Sequence, residues 1–382
     1  MSAGSTRVGF AQDGPVPTPR EPGNPAAALA DQFRHHFHRL SDGRDHLYTI
    51  LLPALADDLE AGGPTAAICR DQLPASRGDA VQLRLLAGVF RIVLRGEAPG
   101  LARFYPVLGG HDDPAGTHGD GGAWAALLPV LAAHEEELRA ALLSPPQTNE
   151  AGRSVALAAG LFEAVRRYGL RRVRLLEPGA SAGLNLNLDR YLITGPGWQW
   201  GDAGSPLRLD TASAQMRPEG VTIVERRGCD LAPVDASTPD GAAYLTSFVW
   251  PFDLERHTRL AAALDVVRMH PVTVDRAPAA RWLAEQLARP VESDVLTVVW
   301  QSVTQQYWPP AETAAVASVI EQTRSRIPLC HISFEGIPPV QTGGGYDVAR
   351  FGPELTVDGD LIARTHHHGP PVIMQNCTTA PS

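Results

Sequence analysis

Residues 173–191 read VRLLEPGASAGLNLNLDRY. An apolar run ends in an acid, passes through glycines and small residues, and resumes with helical spacing. Val173, Leu175 and Leu176 suit a buried strand. Gly179, Ala180, Ser181, Ala182 and Gly183 are expected to leave backbone N–H groups uncovered at the start of the next helix, where amides bind anionic or strongly polar groups. Two chemistries use such a strand, tight turn and helix: binding of a nucleotide-type cofactor, and the serine elbow G-x-S-x-G.

The flanking sequence alternates in the same way. A helix over about 150–168 precedes the stretch, and strands at 221–229, 272–275, 295–301 and 329–335 follow, separated by helices at 254–269, 278–288 and 311–325. A last strand pair is expected around 346–350 and 361–365, and an inserted hairpin near 192–215. This pattern predicts an α/β fold: a Rossmann-like, mostly parallel sheet with helices on both faces and an antiparallel edge. Upstream, DQFRHHFHRL, LYTILLPALADDLE, DAVQLRLLAGVFRIVLRG and AWAALLPVLAAHEEELRAALL space their aliphatics three and four apart, as helices do. The expected division is a proline-rich disordered tail over 1–25, a helical domain over 26–146, and the sheet domain over 147–375.

Composition narrows the chemistry. The net charge is −9, which argues against a nucleic-acid surface, and the group Arg171, Arg172 and Arg174 reads as a solvated edge. All 33 basic residues are arginine, so a phosphate loop with its lysine, a lysine Schiff base and a lysine general base are excluded. Cys69, Cys229, Cys330 and Cys377 form no C-x-x-C pair and read as buried free thiols. No apolar leader or membrane-length run occurs, so a soluble, cytoplasmic protein is expected.

With these residues in place, the 173–191 stretch resembles the first motif of class I S-adenosylmethionine-dependent methyltransferases, an acid-ended strand followed by E/D-x-G-x-x-x-G. Glu177, Gly179 and Gly183 fill those positions, with Ala180, Ser181 and Asn185 in the same loop and turn. The resemblance implies S-adenosylmethionine as cofactor. It also implies an acid after the second strand for the ribose hydroxyls, here Asp230 in GCDLAP, and an acid after the third, here Asp275. Gln301 and Ser302 then end the fourth strand at the ligand edge. The span from Gly183 to Asp230 exceeds a plain βαβ unit, so either an insertion intervenes or Glu225 is the second acid. The same residues also satisfy G-x-S-x-G. A hydrolase would use Ser181 with Asp347 or Asp358 and one of His366, His367 and His368, but the helical upstream half offers no oxyanion loop of the HGGG kind.

Across residues 30–370 the strings QTNEAGRS (147–154), LLEPGASAGLNLNLDRY (175–191), RRGCDLAPVD (226–235) and VWPFDLERHTRL (249–260), with the late histidine-glycine, resemble bacterial domain-of-unknown-function family 2332. That resemblance implies a bacterial protein with a methyltransferase-like core and supplies no reaction.

Gln147, Thr148, Asn149, Glu150 and Arg153 lie between the halves, as substrate ligands or as a helix cap. Asp189 and Arg190 read as an ion pair, and Trp250 as core or pocket wall. The histidines at 35, 36 and 38 and at 366–368 lack a metal-ligand spacing, and HDD at 111–113 with His118, a loop of possible ligands, reads as a solvated loop, so no metal is expected. The catalytic candidates are therefore Asn149, Glu150, Arg153 and, as a general base, His368. The expected partners are a small-molecule or protein substrate under a helical lid, with no nucleic acid and no membrane. Oligomeric state is open, and a non-catalytic ligand-binding protein of the same fold is the other alternative.

Overall fold

The computed structural model describes residues 24–40, 46–75, 80–116, 122–336 and 347–375. The first half is helical: α1 (Pro25–Leu40), α2 (Leu47–Ala61), α3 (Pro64–Cys69), α4 (Val81–Leu94), α5 (Pro99–Ala102), α6 (Gly122–Ala133) and α7 (Glu135–Ala141). Leu51, Leu55, Leu85, Phe90, Leu127 and Leu138 pack in one apolar cluster there. Each such side chain contributes roughly 1.5–3 kcal/mol on leaving water. The 123–143 pattern, continuous by spacing, divides at His134 into α6 and α7.

A short 3₁₀ turn, Ala151–Arg153, opens α8 (Ser154–Tyr168), which leads into β1 (Arg172–Pro178). A small sheet follows with β2 (Leu192–Gly195), β3 (Trp198–Gly201) and β4 (Arg208–Asp210). The chain continues through β5 (Thr222–Asp230), α9 (Pro239–Ser247), α10 (Leu254–Met269), β6 (Val274–Arg276), α11 (Ala279–Leu287) and β7 (Val295–Ser302). It ends with α12 (Pro310–Arg324), β8 (Leu329–Glu335), α13 (Val348–Phe351), β9 (Glu354–Val357), β10 (Asp360–His366) and β11 (Gly369–Met374).

The main sheet has eight strands in the order β11-β10-β9-β8-β7-β1-β5-β6. The five from β8 to β6 are mutually parallel, and β9, β10 and β11 meander antiparallel beyond β8. Every residue of β7 is buried, as a central parallel strand covered on both faces requires. The result is a mixed α/β fold built on a Rossmann-like sheet.

Four expectations fail in informative ways. The expected helix after the glycine loop is a 3₁₀ turn, Leu184–Arg190, with a kink at Asn187. The inserted hairpin gains a third strand, since β2 pairs antiparallel with β3 and parallel with β4. The strand expected at 346–350 is instead helix α13, capped by the Asp347 side chain, and the antiparallel edge lies further on. Arg174 is not solvated: it is 1% exposed and donates to the Thr297 hydroxyl and the Gln286 carbonyl, while Arg172 pairs with Asp294 at the surface. An arginine's apolar stem fits beside a strand, so charge alone misplaces it.

Candidate active site

The chain leaves β1 toward β5 on one side and returns to β7 on the other. Ligands of open α/β sheets bind at such a reversal, outside the carboxyl ends of the strands. Here that point lies between the loop after β1 and the loop after β7. Each loop holds a non-glycine residue at positive φ, Ser181 at 56° and Val303 at 51°. For a β-branched valine this backbone is strained, and strain of this kind concentrates at functional sites.

The loop's amides are not bare, which corrects the expectation from sequence. Gly179 and Ala180 N–H both donate to the Cys229 carbonyl, at 2.8 and 2.9 Å. Ser181 N–H donates to Asp230 Oδ2 at 2.9 Å, and Gly183 N–H to the Ala180 carbonyl. Asn149 Oδ1 accepts from Ala182 and Leu184 N–H, at 3.3 and 2.9 Å. Gly179, at φ 75°, faces Thr304, whose hydroxyl would lie 2.1 Å from an added Cβ. The loop is therefore a rigid frame closed by the protein's own groups, and a ligand here meets side chains.

Those side chains are charged and buried. Glu177, 2% exposed at the end of β1, has one carboxylate oxygen with no hydrogen-bond partner. Burial pushes its pKa up to about 8, although Trp300, Arg153 and Asn185 pull the other way. Asn185 is oriented in turn by the Ser154 hydroxyl at 2.9 Å. Arg153, 7% exposed, donates to the carbonyls of His367 at 3.0 Å and Ser302 at 3.5 Å. Among the described residues no carboxylate forms an ion pair with it. Burial lowers its pKa, with Glu150, Tyr307 and Glu335 near enough to act against that. A guanidinium buried on carbonyls alone suits an anionic ligand group.

Glu150 is anchored differently. Its carboxylate meets Arg256 at 2.7 Å and Arg259 at 3.5 Å, and it caps Gly152 N–H. His368 Nδ1 lies 3.6 Å from it, in a turn where the rings of His366, His367 and His368 pack tilted against one another. That turn presses on the segment from Gly152, where a Cβ on Gly369 would come within 2.5 Å of the Gly152 carbonyl oxygen.

Other sequence candidates separate cleanly. Asp230 stands beside the loop, accepting also from Ala232 N–H at 2.9 Å and Gln147 at 3.3 Å. Glu225 lies mid-strand and pairs with Arg289 at 2.7 Å. Asp275 is occupied by Arg227 at 2.6 Å and by the Trp282 indole N–H at 2.7 Å, so it braces the sheet edge. Gln301 bridges His331 at 3.1 Å and Glu335 at 3.3 Å. Asp189 pairs chiefly with Arg226 at 2.6 Å rather than Arg190. Trp250 packs on Phe252 within reach of the helical core. The Ser181 hydroxyl is buried without a partner. Asp358 lies at the opposite edge of the sheet, bound to Arg324 and the His331 N–H, and Asp347 caps α13, so neither forms a triad with Ser181.

Sequence reasoning missed Arg256, Arg259, Thr304, Tyr307 and Glu335. Arginines three apart on α10 were the available signal for a shared acid. Glu335, raised by burial, accepts from Thr304 and Gln305 N–H and closes the loop after β7. Cys69, Cys229 and Cys330 are buried and free, and Cys377 lies outside the described residues, as do the 1–23 segment and His118. The side chains of His35, His36 and His38 also lie outside them. Among the described residues, Glu97, His134 and Glu137 sit close enough for a metal, but Arg95 already pairs with both acids, at 2.9 and 2.8 Å. Among the described residues no helix is long and apolar enough to cross a membrane. A cavity of about 10 Å³, room for one water, touches Glu150 and Arg256, while a groove of about 690 Å³ lies away from the site beside Trp200 and Thr222.

Residues 30–373 match the family model described as an uncharacterized protein conserved in bacteria, DUF2332. No curated protein and no solved structure matches the chain.

Proposed function

The chain belongs to this bacterial family of uncharacterized proteins, and for it we propose an S-adenosylmethionine-dependent methyl transfer at the carboxyl edge of the sheet. The observation that carries the reading is the pair Arg153 and Glu177: a buried guanidinium without a carboxylate partner beside a buried acid held neutral. An α-amino acid group is complementary to both. Its carboxylate would take Arg153, and its ammonium would take Glu177, which would surrender its proton in the process. The strand order supports the reading, because it puts this pair at the reversal beside an acid-ended strand and a glycine loop.

At the other side of the loop, Asp230 offers carboxylate oxygens for a ribose diol. Leu231, 67% exposed next to it, offers an apolar face for a purine. S-adenosylmethionine, when bound, supplies a methyl group activated on a sulfonium. The protein's part is alignment and exclusion of water: Arg153 and Glu177 fix one end, Asp230 and Leu231 the other, and Asn149 and Asp230 hold the loop rigid between them. A neutral acid at the sulfonium's end also avoids burying an unpaired charge before the ligand arrives.

The test is a calorimetric titration of the purified chain with S-adenosylmethionine and S-adenosylhomocysteine, repeated with Arg153→Met and Gly179→Arg. Micromolar binding that weakens roughly 100-fold in Arg153→Met is expected, the loss of one buried charge-assisted contact. Gly179→Arg, which collides with Thr304, abolishes it. Folded wild-type protein that binds neither compound overturns the proposal.

A further inference from the structure

His368 lies in the turn between β10 and β11. Its Nδ1 is buried with no hydrogen-bond partner and points at Glu150 Oε2, 3.6 Å away. The side chain is nevertheless 27% exposed, so the opposite edge of the ring, with Nε2, is the accessible one. Glu150 is fixed by Arg256, Arg259 and the Gly152 N–H, and its pKa is lowered, so it stays an anion. A carboxylate facing Nδ1 holds the proton on that nitrogen and leaves the Nε2 lone pair outward. The backbone is fixed as well: Arg259 donates to the His368 carbonyl at 2.8 Å, and Arg153 to that of His367 at 3.0 Å. Arg153 also reaches Ser302, so one side chain spans from the histidine turn to the end of β7.

We propose that His368, positioned by Glu150, is the general base of the transfer, and that the acceptor is a nucleophile which must lose a proton when methylated: an amine, hydroxyl or imidazole, not a carboxylate. This rests on the methyl-transfer reading above. The acceptor's lone pair forms the new bond to the methyl carbon, and the carbon–sulfur bond breaks with its electron pair returning to sulfur, giving S-adenosylhomocysteine. The acceptor's proton passes to His368 Nε2, and Glu150 balances the imidazolium. The groups facing His368 are Arg153, Arg256, Arg259, Glu150, His366 and His367; burial, Arg256, His367, Arg153 and His366 lower its pKa, which keeps the free ring neutral.

Diethyl pyrocarbonate, which acylates neutral imidazole nitrogen, reads this nitrogen without any acceptor. Modification is followed by peptide mass, with His368→Gln to assign the site and melting curves to verify folding. In the wild-type chain, His368 is expected to react and to keep reacting at acidic pH, below the range in which a free imidazole is neutral. Glu150→Gln slows it roughly tenfold, and Glu150→Asp restores part of the rate. An inert His368 in the wild-type chain overturns the proposal, as does an unchanged rate in folded Glu150→Gln. Calorimetry with S-adenosylmethionine runs alongside: absent binding with reactive His368 removes the methyl-transfer reading alone, and normal binding with inert His368 removes the base alone.

Discussion

The two edges of the main sheet use buried and half-buried charge in opposite ways. At the amino edge, Asp358 is saturated: it binds Arg324 at 2.6 Å, the Tyr168 hydroxyl at 3.0 Å and the His331 N–H at 2.9 Å. Arg172 likewise meets Asp294 at 2.8 Å. At the carboxyl edge, Glu177 has an idle oxygen and Arg153 rests on carbonyls. Saturated charge joins elements and is structural. Charge left incomplete at a cost in stability is retained for something else, and here both incomplete groups flank the point where the chain reverses direction.

Breaking either edge separates these roles. Arg153→Met has the largest expected effect on ligand binding, about 100-fold or more, whereas Arg324→Met lowers the melting temperature and leaves S-adenosylmethionine affinity unchanged by calorimetry. Glu177→Gln is expected to stabilise the free protein. The folded pKa of about 8 lies above the ordinary glutamate value of 4.5, so the folded state holds more protons between those limits and stability falls as pH rises through that window. Wild-type and variant should therefore melt alike near pH 4.5, and at pH 8 the variant should be more stable by on the order of 3–5 kcal/mol. A wild-type advantage at pH 8 would contradict the burial argument.

Proton release sharpens the comparison further. Ligand binding near neutral pH should expel most of one proton from Glu177, seen as a calorimetric enthalpy that depends on buffer ionisation and loses that dependence in Glu177→Gln. At the acid end, burial pushes His331 down to about 4, so the unfolded state binds the extra proton between 6.5 and 4 and stability drops as pH falls through that range. His331→Gln should flatten that part of the melting profile. The smallest effect is expected at Asp275→Asn: a lower melting temperature, with cofactor affinity within about threefold, since Asp275 is taken by Arg227 and Trp282.

The parallel strands were legible because their signal is local: apolar runs such as VLTVVWQ, cut by helical spacing and ended by polar residues. Helix α10 falls on its expected boundaries for the same reason. What sequence could not convey was who satisfies whom. The bare-amide expectation for residues 179–183 failed because Asn149 and Cys229, distant in the chain, reach those amides first. Asp275 looked like a ligand acid until its arginine, Arg227 on the neighbouring strand, came into view. Arg174 misled through its neighbours in sequence, two surface arginines, though it stands further along a central strand, between β5 and β7, where it reaches Thr297. Helix α13 replaced the expected strand at 348–351 because Asp347 caps a turn that apolar alternation alone does not reveal.

The contact between Gly152 and the turn at His368–Gly369 joins the first residues of the sheet region to its last strand pair. A chain emerging from the ribosome can form helices of its first half early, but it cannot complete this edge until residue 369 is out. Closing so long a loop is slow and comes late. Products that stop before this turn would carry the strands without the wall that Gly152 and Gly369 close together.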